Sequence, residues 1–391
     1  MHPNWLSWFG QQSELTDKKG LQRHIEPNPD RQKSQKSGVG RYIDLTSNDY
    51  LGLSRNKDII AALKSDSVER VGSGAARLAG GAYESLSTLE KMLSEFHGKE
   101  AALTFTSGYL ANLGTITALA GKDDAIVSDK LNHASIIDGV LLSRARHYRY
   151  RHLDMEDLRK KLEIASEKHK KVLLISESIF SMNGDSAPLQ EIVALKNRYG
   201  ALLYLDEAHS VGVKGDRGAG LADELGLGNQ VEIIMATFGK AYGSFGSYIV
   251  SDGTVVSHLI NHSRTFIFST AMPQANTAAN IAALQAVSKA SDLRKRLDAT
   301  SRYMRNNLVA SEINILQSNS HIIPIPLSDN EKALEIKRLL AKKGVLVNAI
   351  RPPTVPAGTS RLRLSISAIY DDADMDTALR SLLPLITKDG P

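Results

Sequence analysis

Lys240 stands just after an apolar run, in Thr237-Phe238-Gly239-Lys240-Ala241-Tyr242-Gly243-Ser244-Phe245-Gly246. A lysine amine that forms a Schiff base must approach a flat carbonyl compound closely, and flanking glycines remove the side chains that would block it. Thr237 can give its hydroxyl to a phosphate. A surface lysine in a turn would read the same way, so the run needs support from elsewhere. Leu203-Tyr204-Leu205-Asp206-Glu207-Ala208-His209-Ser210 puts Asp206 at the end of another apolar run, a costly place for a carboxylate without a partner. A protonated ring nitrogen would be that partner, and a structural arginine is the plain alternative. His209 can hydrogen-bond a phenolic oxygen. As a metal pair, Asp206 and His209 lack a third ligand nearby, so no metal is expected. Thr106-Ser107-Gly108-Tyr109 opens a helix, where backbone N–H groups hold phosphate well. His133, in Asn132-His133-Ala134-Ser135, can stack on an aromatic ring, although a lone histidine is more often structural. Ser181, within Glu177-Ser178-Ile179-Phe180-Ser181-Met182-Asn183-Gly184-Asp185, can reach the same phenolic oxygen.

Each feature has an ordinary explanation taken singly. Together they supply a phosphate cradle, a stacking ring, an acid for a ring nitrogen and an amine for a Schiff base. That conjunction points to pyridoxal 5'-phosphate (PLP), with Lys240 as the covalent anchor.

The elements that position these groups alternate. Leu86, Leu89, Met92, Leu93 and Phe96 share a helical face that Gly98 ends. Short apolar runs follow at 101–106, 125–128, 171–176, 201–205, 233–237 and 248–250, with helices expected from Tyr109, from Asp154 to Lys168, and over 189–199 before Gly200. This alternation argues for a mainly parallel sheet covered on both faces, with ligands beyond the carboxyl ends of the strands. From about residue 286 the pattern changes to a smaller α+β region. The expected division is an N-terminal arm over 1–46, a large cofactor-binding domain over 47–285 and a small domain over 286–391. Asn28 to Gly40 reads as a polar loop.

The bulk composition narrows the class. Among 391 residues, 42% are hydrophobic and 23% charged, the mix of a globular protein. The net charge of +5 is dispersed, whereas a nucleic-acid binder clusters its basic residues. There is no cysteine, so neither a disulfide nor a thiolate nucleophile is available. The N-terminus, with Trp5, Leu6, Trp8 and Phe9, lacks the pattern of a secretory signal. No apolar run is long enough to span a membrane. A cytoplasmic location is expected.

Over about 42–386 the sequence resembles the α-oxoamine synthases, PLP enzymes of fold type I (aspartate aminotransferase-like). The markers are Ser47-Asn48-Asp49-Tyr50-Leu51-Gly52-Leu53, Gly72-Ser73-Gly74-Ala75-Ala76-Arg77-Leu78, Asn132-His133-Ala134-Ser135, Asp206-Glu207-Ala208-His209-Ser210, Thr237-Phe238-Gly239-Lys240, and Arg351-Pro352-Pro353-Thr354-Val355-Pro356 leading to Arg361-Leu362-Arg363. The resemblance implies a decarboxylative condensation of an amino acid with an acyl-CoA, in a homodimer with shared sites. Lys240 forms the internal aldimine and removes the α-proton, His133 stacks on the ring, and Asp206 pairs with the ring nitrogen. His209 and Ser181 contact the phenolic oxygen. Thr237 binds the phosphate with Ser107, Gly108 and Tyr109, and Ser269 and Thr270 reach it from the partner subunit. Asn48 and Arg363 hold the amino-acid carboxylate, while Arg23, Arg351 and Thr354 are candidates for the acyl substrate. The 351–363 run is most similar to members that join L-alanine to a pimeloyl thioester. Glycine with acetyl-CoA or succinyl-CoA, and serine with a long acyl-CoA, are the other family activities. Two positions depart from the family pattern: Leu86 stands where a histidine is frequent, and Ser247 replaces the second glycine of a usual pair.

Overall fold

The computed structural model describes residues 2–25, 42–65 and 68–387. The loop expected at 28–40 lies outside these residues. Along the chain run α1 (Pro3–Lys18), β1 (Ile43–Asp44), α2 (Lys57–Leu63), α3 (Glu84–His97), β2 (Ala101–Phe105), α4 (Gly108–Leu119), β3 (Ala125–Asp129), α5 (Ala134–Ser143), β4 (Arg146–Tyr150), α6 (Met155–Lys168), β5 (Val172–Glu177), α7 (Leu189–Tyr199) and β6 (Leu202–Asp206). Then come α8 (Leu221–Glu224), β7 (Ile233–Thr237), β8 (Ser247–Ser251), α9 (Gly253–His262), α10 (Arg264–Ile267), α11 (Gln274–Ser288), α12 (Ser291–Ala310), β9 (Ile322–Ser328), α13 (Asn330–Lys342), β10 (Val345–Leu346), β11 (Asn348–Ile350), β12 (Ser360–Ser365) and α14 (Asp372–Ile386).

The chain forms two compact units. One comprises Asn48–Ser181 with Asp185–Leu297, the other Met1–Ser47 with Met182–Gly184 and Asp298–Pro391. Against the expected division, the N-terminal arm therefore groups with the C-terminal region. The reason is local: Ile43 and Asp44 pair in parallel with Val345 and Leu346. The later boundary falls within α12.

In the first unit seven strands form one sheet, in the order β2-β8-β7-β6-β5-β3-β4. β8 is antiparallel to both its neighbours, and the other pairs are parallel. Helices cover both faces, so β3, β5 and β7 are buried at every residue, which is why they read as apolar runs up to the polar residues at their C-terminal ends. Leu103, Ile126, Ile175, Tyr204, Ile233 and Ile249 belong to one core cluster with Ile116 of α4 and Ile136 of α5. Leu86 is fully buried on α3, so the departure from the family's frequent histidine is accommodated as core packing.

Local signals set the helix ends. Asp154 caps α6 by accepting the Asp157 N–H at 2.8 Å. Gly98 and Gly200 close α3 and α7 in the left-handed conformation.

In the second unit β11, β12 and β9 form an antiparallel sheet. β9 is an edge strand and contains Pro324 and Pro326, which have no N–H to give a further neighbour. On α1, Trp5, Trp8 and Phe9 cluster edge to edge and stay exposed. No helix among the described residues is long and apolar enough to cross a membrane.

Candidate functional site

Parallel strands deliver their C-terminal ends to one edge of the sheet. Asp206 is the last residue of β6, Thr237 the last of β7 and Glu177 the last of β5. Lys240 follows β7 in a turn closed by Phe238 N–H to Gly246 O at 2.9 Å and Ser244 N–H to Phe238 O at 2.9 Å. Gly243 has φ +63°, and a Cβ there would lie 2.2 Å from Ser54 N, so the turn can seat against the 53–54 backbone only with glycine.

A cavity of about 190 Å³ opens at this edge, lined by residues of these strand ends and of the first turns of α4 and α5. Lys240 Nζ lies 2.8 Å from His209 Nε2. The other ring nitrogen of His209, Nδ1, is 2.7 Å from the Tyr50 hydroxyl, which donates to Asn48 Oδ1 at 3.1 Å. Asp206 is 5% exposed and built as an acceptor. Its Oδ1 takes the Ala208 N–H and its Oδ2 the Asn112 amide, each at 2.9 Å. His133 caps α5 and borders the cavity, with Nδ1 2.8 Å from Ser135 Oγ. Desolvation by its surroundings, aided by the Lys240 ammonium, lowers its pKa against the pull of Asp206. Glu177 is buried beneath and accepts the His133 N–H at 2.5 Å and the Ser181 N–H. Burial, and then Asp206 beside it, push the Glu177 carboxyl up to about 8.

Gly108 and Tyr109 begin α4 at the cavity wall, where the first N–H groups of a helix have no partner within it. Thr237 also lines the cavity. Its hydroxyl donates to Gly246 O at 2.9 Å and accepts the Gly239 N–H at 3.1 Å. Ser107 caps α4, accepting the Leu110 N–H at 3.3 Å.

The donor set fits PLP. There is an amine for its carbonyl, an accepting carboxylate for a protonated ring nitrogen, an imidazole for its face and a helix start for its phosphate. The sequence reading thus finds Lys240, His209, His133, Asp206, Thr237, Gly108 and Tyr109 around one cavity.

Other expected residues lie elsewhere. Ser181 is buried and does not line the cavity. Ser269 and Thr270 line a separate small recess with Arg77 and Phe266, and Thr270 pairs with Ala76. Arg363, Arg23, Arg351 and Thr354 belong to the second unit. There Arg363 donates to Ser365 Oγ at 3.0 Å. Arg23 reaches Thr354 Oγ1 at 3.4 Å, while Arg351 donates to Gly20 O and to Gln22 O, the latter at 3.3 Å. Burial, and then Arg23 beside it, lower the Arg351 pKa. The sequence reading missed Tyr50, Asn112, Ser135 and Glu177 as site residues. Tyr50 and Ser135 stand within quoted motifs and Glu177 opens one, so position at a strand or helix end was the available signal.

Residues 41–382 match the family model described as aminotransferase class I and II. The chain is 44% identical to an 8-amino-7-oxononanoate synthase of Anaeromyxobacter dehalogenans, over 99% of this chain and 98% of the relative. It is 42% identical to one of Geotalea daltonii, over 96% and 97%. Among solved structures it is similar to a serine palmitoyltransferase from Sphingomonas wittichii, with TM-score 0.85, 31% identity, and 97% and 96% of the two chains covered. A serine palmitoyltransferase variant from S. paucimobilis with bound PLP and myriocin has TM-score 0.86 at 30% identity, over 96% and 97%.

Proposed function

Because the chain belongs to the α-oxoamine synthase branch of the class I and II aminotransferases, we propose that it is a PLP enzyme that condenses L-alanine with a pimeloyl thioester. The products are 8-amino-7-oxononanoate, CO2 and, from the CoA ester, CoA. PLP, when bound, supplies an electron sink. Lys240 Nζ would hold it, and Asp206, anchored by Asn112 and Ala208, would accept from its ring nitrogen. His133 would cover one face, and the start of α4 with Thr237 would take the phosphate. His209 Nε2, 2.8 Å from Lys240 Nζ, keeps that amine oriented and can share its proton.

The choice of acyl substrate is carried by Arg23 and Arg351. Burial, and then the Arg23 guanidinium beside it, lower the Arg351 pKa, and neither arginine is paired with a carboxylate among the described residues. A pimeloyl thioester ends in a carboxylate, whose burial without a cationic partner costs several kcal/mol, and a guanidinium fork suits it. Acetyl-CoA carries no such charge. The named relatives at 44% and 42% identity support the same choice. Alanine and glycine differ by one methyl, worth about 1–3 kcal/mol, so leakage to glycine is expected.

The test measures CoA release and product mass for alanine with pimeloyl-CoA, glycine with acetyl-CoA and serine with palmitoyl-CoA. The first pair should have the highest kcat/KM. A higher value for either other pair refutes the substrate assignment and leaves the family untouched. We read the active species as a homodimer, since Phe268 and Thr270 are exposed beside Ser269. Light scattering on the same preparation checks this, and an active monomer would refute it.

A further inference from the structure

The amide of Asn112 sits one turn into α4 and is 1% exposed. Its Oδ1 receives the Tyr204 hydroxyl at 2.5 Å, and its Nδ2 lies 2.9 Å from both Asp206 Oδ2 and Ser135 Oγ. Tyr204 and Asp206 are two residues apart on β6 and so share a face of the sheet. The polarity of this network follows from counting protons. Burial, and then the Asp206 carboxylate, hold the Tyr204 pKa well above the ordinary value, so the hydroxyl keeps its proton and donates. Asn112 therefore presents oxygen to Tyr204 and turns both amide hydrogens toward Asp206 and Ser135. Ser135 Oγ accepts one of them, which leaves its own proton for His133 Nδ1 at 2.8 Å. The same nitrogen accepts the Ser135 N–H at 3.3 Å. A ring nitrogen that receives donors carries no proton, so the imidazole is neutral with its proton on Nε2.

We propose that Asn112 is a positioning residue for this site: turned by Tyr204, it holds Asp206 as an accepting carboxylate and, through Ser135, fixes His133 with its proton on Nε2. The proposal deepens the PLP reading above and rests on it for its purpose. Asp206 and His133 come from different strand ends, and Asn112 ties their polarity together.

The direct measurement is nitrogen-15 NMR of histidine-labelled protein before PLP is added, with His133 assigned by loss of its signals in His133→Gln. Wild type should show His133 protonated on Nε2 alone. Asn112→Leu and Ser135→Ala should each populate the Nδ1-protonated form. Ser135→Ala is the milder change and serves where the buried leucine fails to fold. In PLP-loaded protein each variant should lose about tenfold to a hundredfold in kcat, the scale of one buried hydrogen bond left unmade, with KM for the amino acid moving far less. A wild-type His133 protonated on Nδ1, or variants whose tautomer matches wild type, would overturn the proposal. The tautomer is read without cofactor. Protein that shows it yet binds no PLP would therefore defeat the PLP reading and leave the relay standing.

Discussion

Glu177 and Asp206 end neighbouring strands in register, two buried carboxyl groups beside one cavity. They differ in what surrounds them. Asp206 receives a side-chain amide as well as a backbone N–H, whereas Glu177 is desolvated and faces the charge of Asp206, which raises its pKa to about 8. A carboxyl raised in the folded state contributes stability present below its unfolded value of 4.5, and loses it as pH rises toward 8. Glutamine has no proton to lose. The urea midpoint of wild type relative to Glu177→Gln should therefore fall between about pH 4.5 and 8 and level off above. A difference independent of pH would show that Glu177 is ionised throughout. Lys240, Asp206, His209 and His133 were legible in the sequence, because each follows an apolar run and each carries a group that one cofactor needs. Asn112, Ser135 and Tyr50 were not, because an amide inside a helix, a hydroxyl in a first helical turn and a phenol in a loop read as ordinary until the partners they face are known.

Among the elements, the buried parallel strands and the helices α3, α6 and α7 were plain from apolar runs, Asp154, Gly98 and Gly200. β4 was not. Its sequence, Arg146-His147-Tyr148-Arg149-Tyr150, is polar because it is the sheet's edge beside β3, with only Tyr150 buried. The segment after β4 is pinned by a contact that no periodicity announces. His152 lies between two buried carboxylates, with Nδ1 2.9 Å from Asp129 Oδ1 and Nε2 2.9 Å from Asp185 Oδ2. It links the end of β3 to the segment that follows Ser181. Burial opposes protonation of this ring, but the hydrogen bonds to Asp129 and Asp185 outweigh it and raise its pKa from 6.5 to about 9. The resulting stability is fully present below pH 6.5 and lost as pH rises through about 9. Wild type should exceed His152→Asn in thermal midpoint at neutral pH by several degrees. That gap should narrow at about pH 10. An unchanged gap across this range would mean that the ring is held neutral.

At the scale of the whole molecule, the alternating order of strands and helices was enough to indicate a mainly parallel sheet with its chemistry at the strand ends. What the pattern could not supply was the grouping of the N-terminal arm with the C-terminal region, since that depends on two residues, Ile43 and Asp44, pairing with Val345 and Leu346. Both units serve one reading. The first gathers the groups that PLP requires, and in the second Arg23 lies beside Arg351 and reaches Thr354, the residues proposed above for an anionic acyl chain. Everything in it depends on Lys240 being the covalent anchor. Protein incubated with PLP, reduced with borohydride and digested should carry the reduced cofactor mass on the peptide containing Lys240, with no such label in Lys240→Ala. An unmodified Lys240 peptide in the wild-type digest, or a label that survives in Lys240→Ala, would contradict the account.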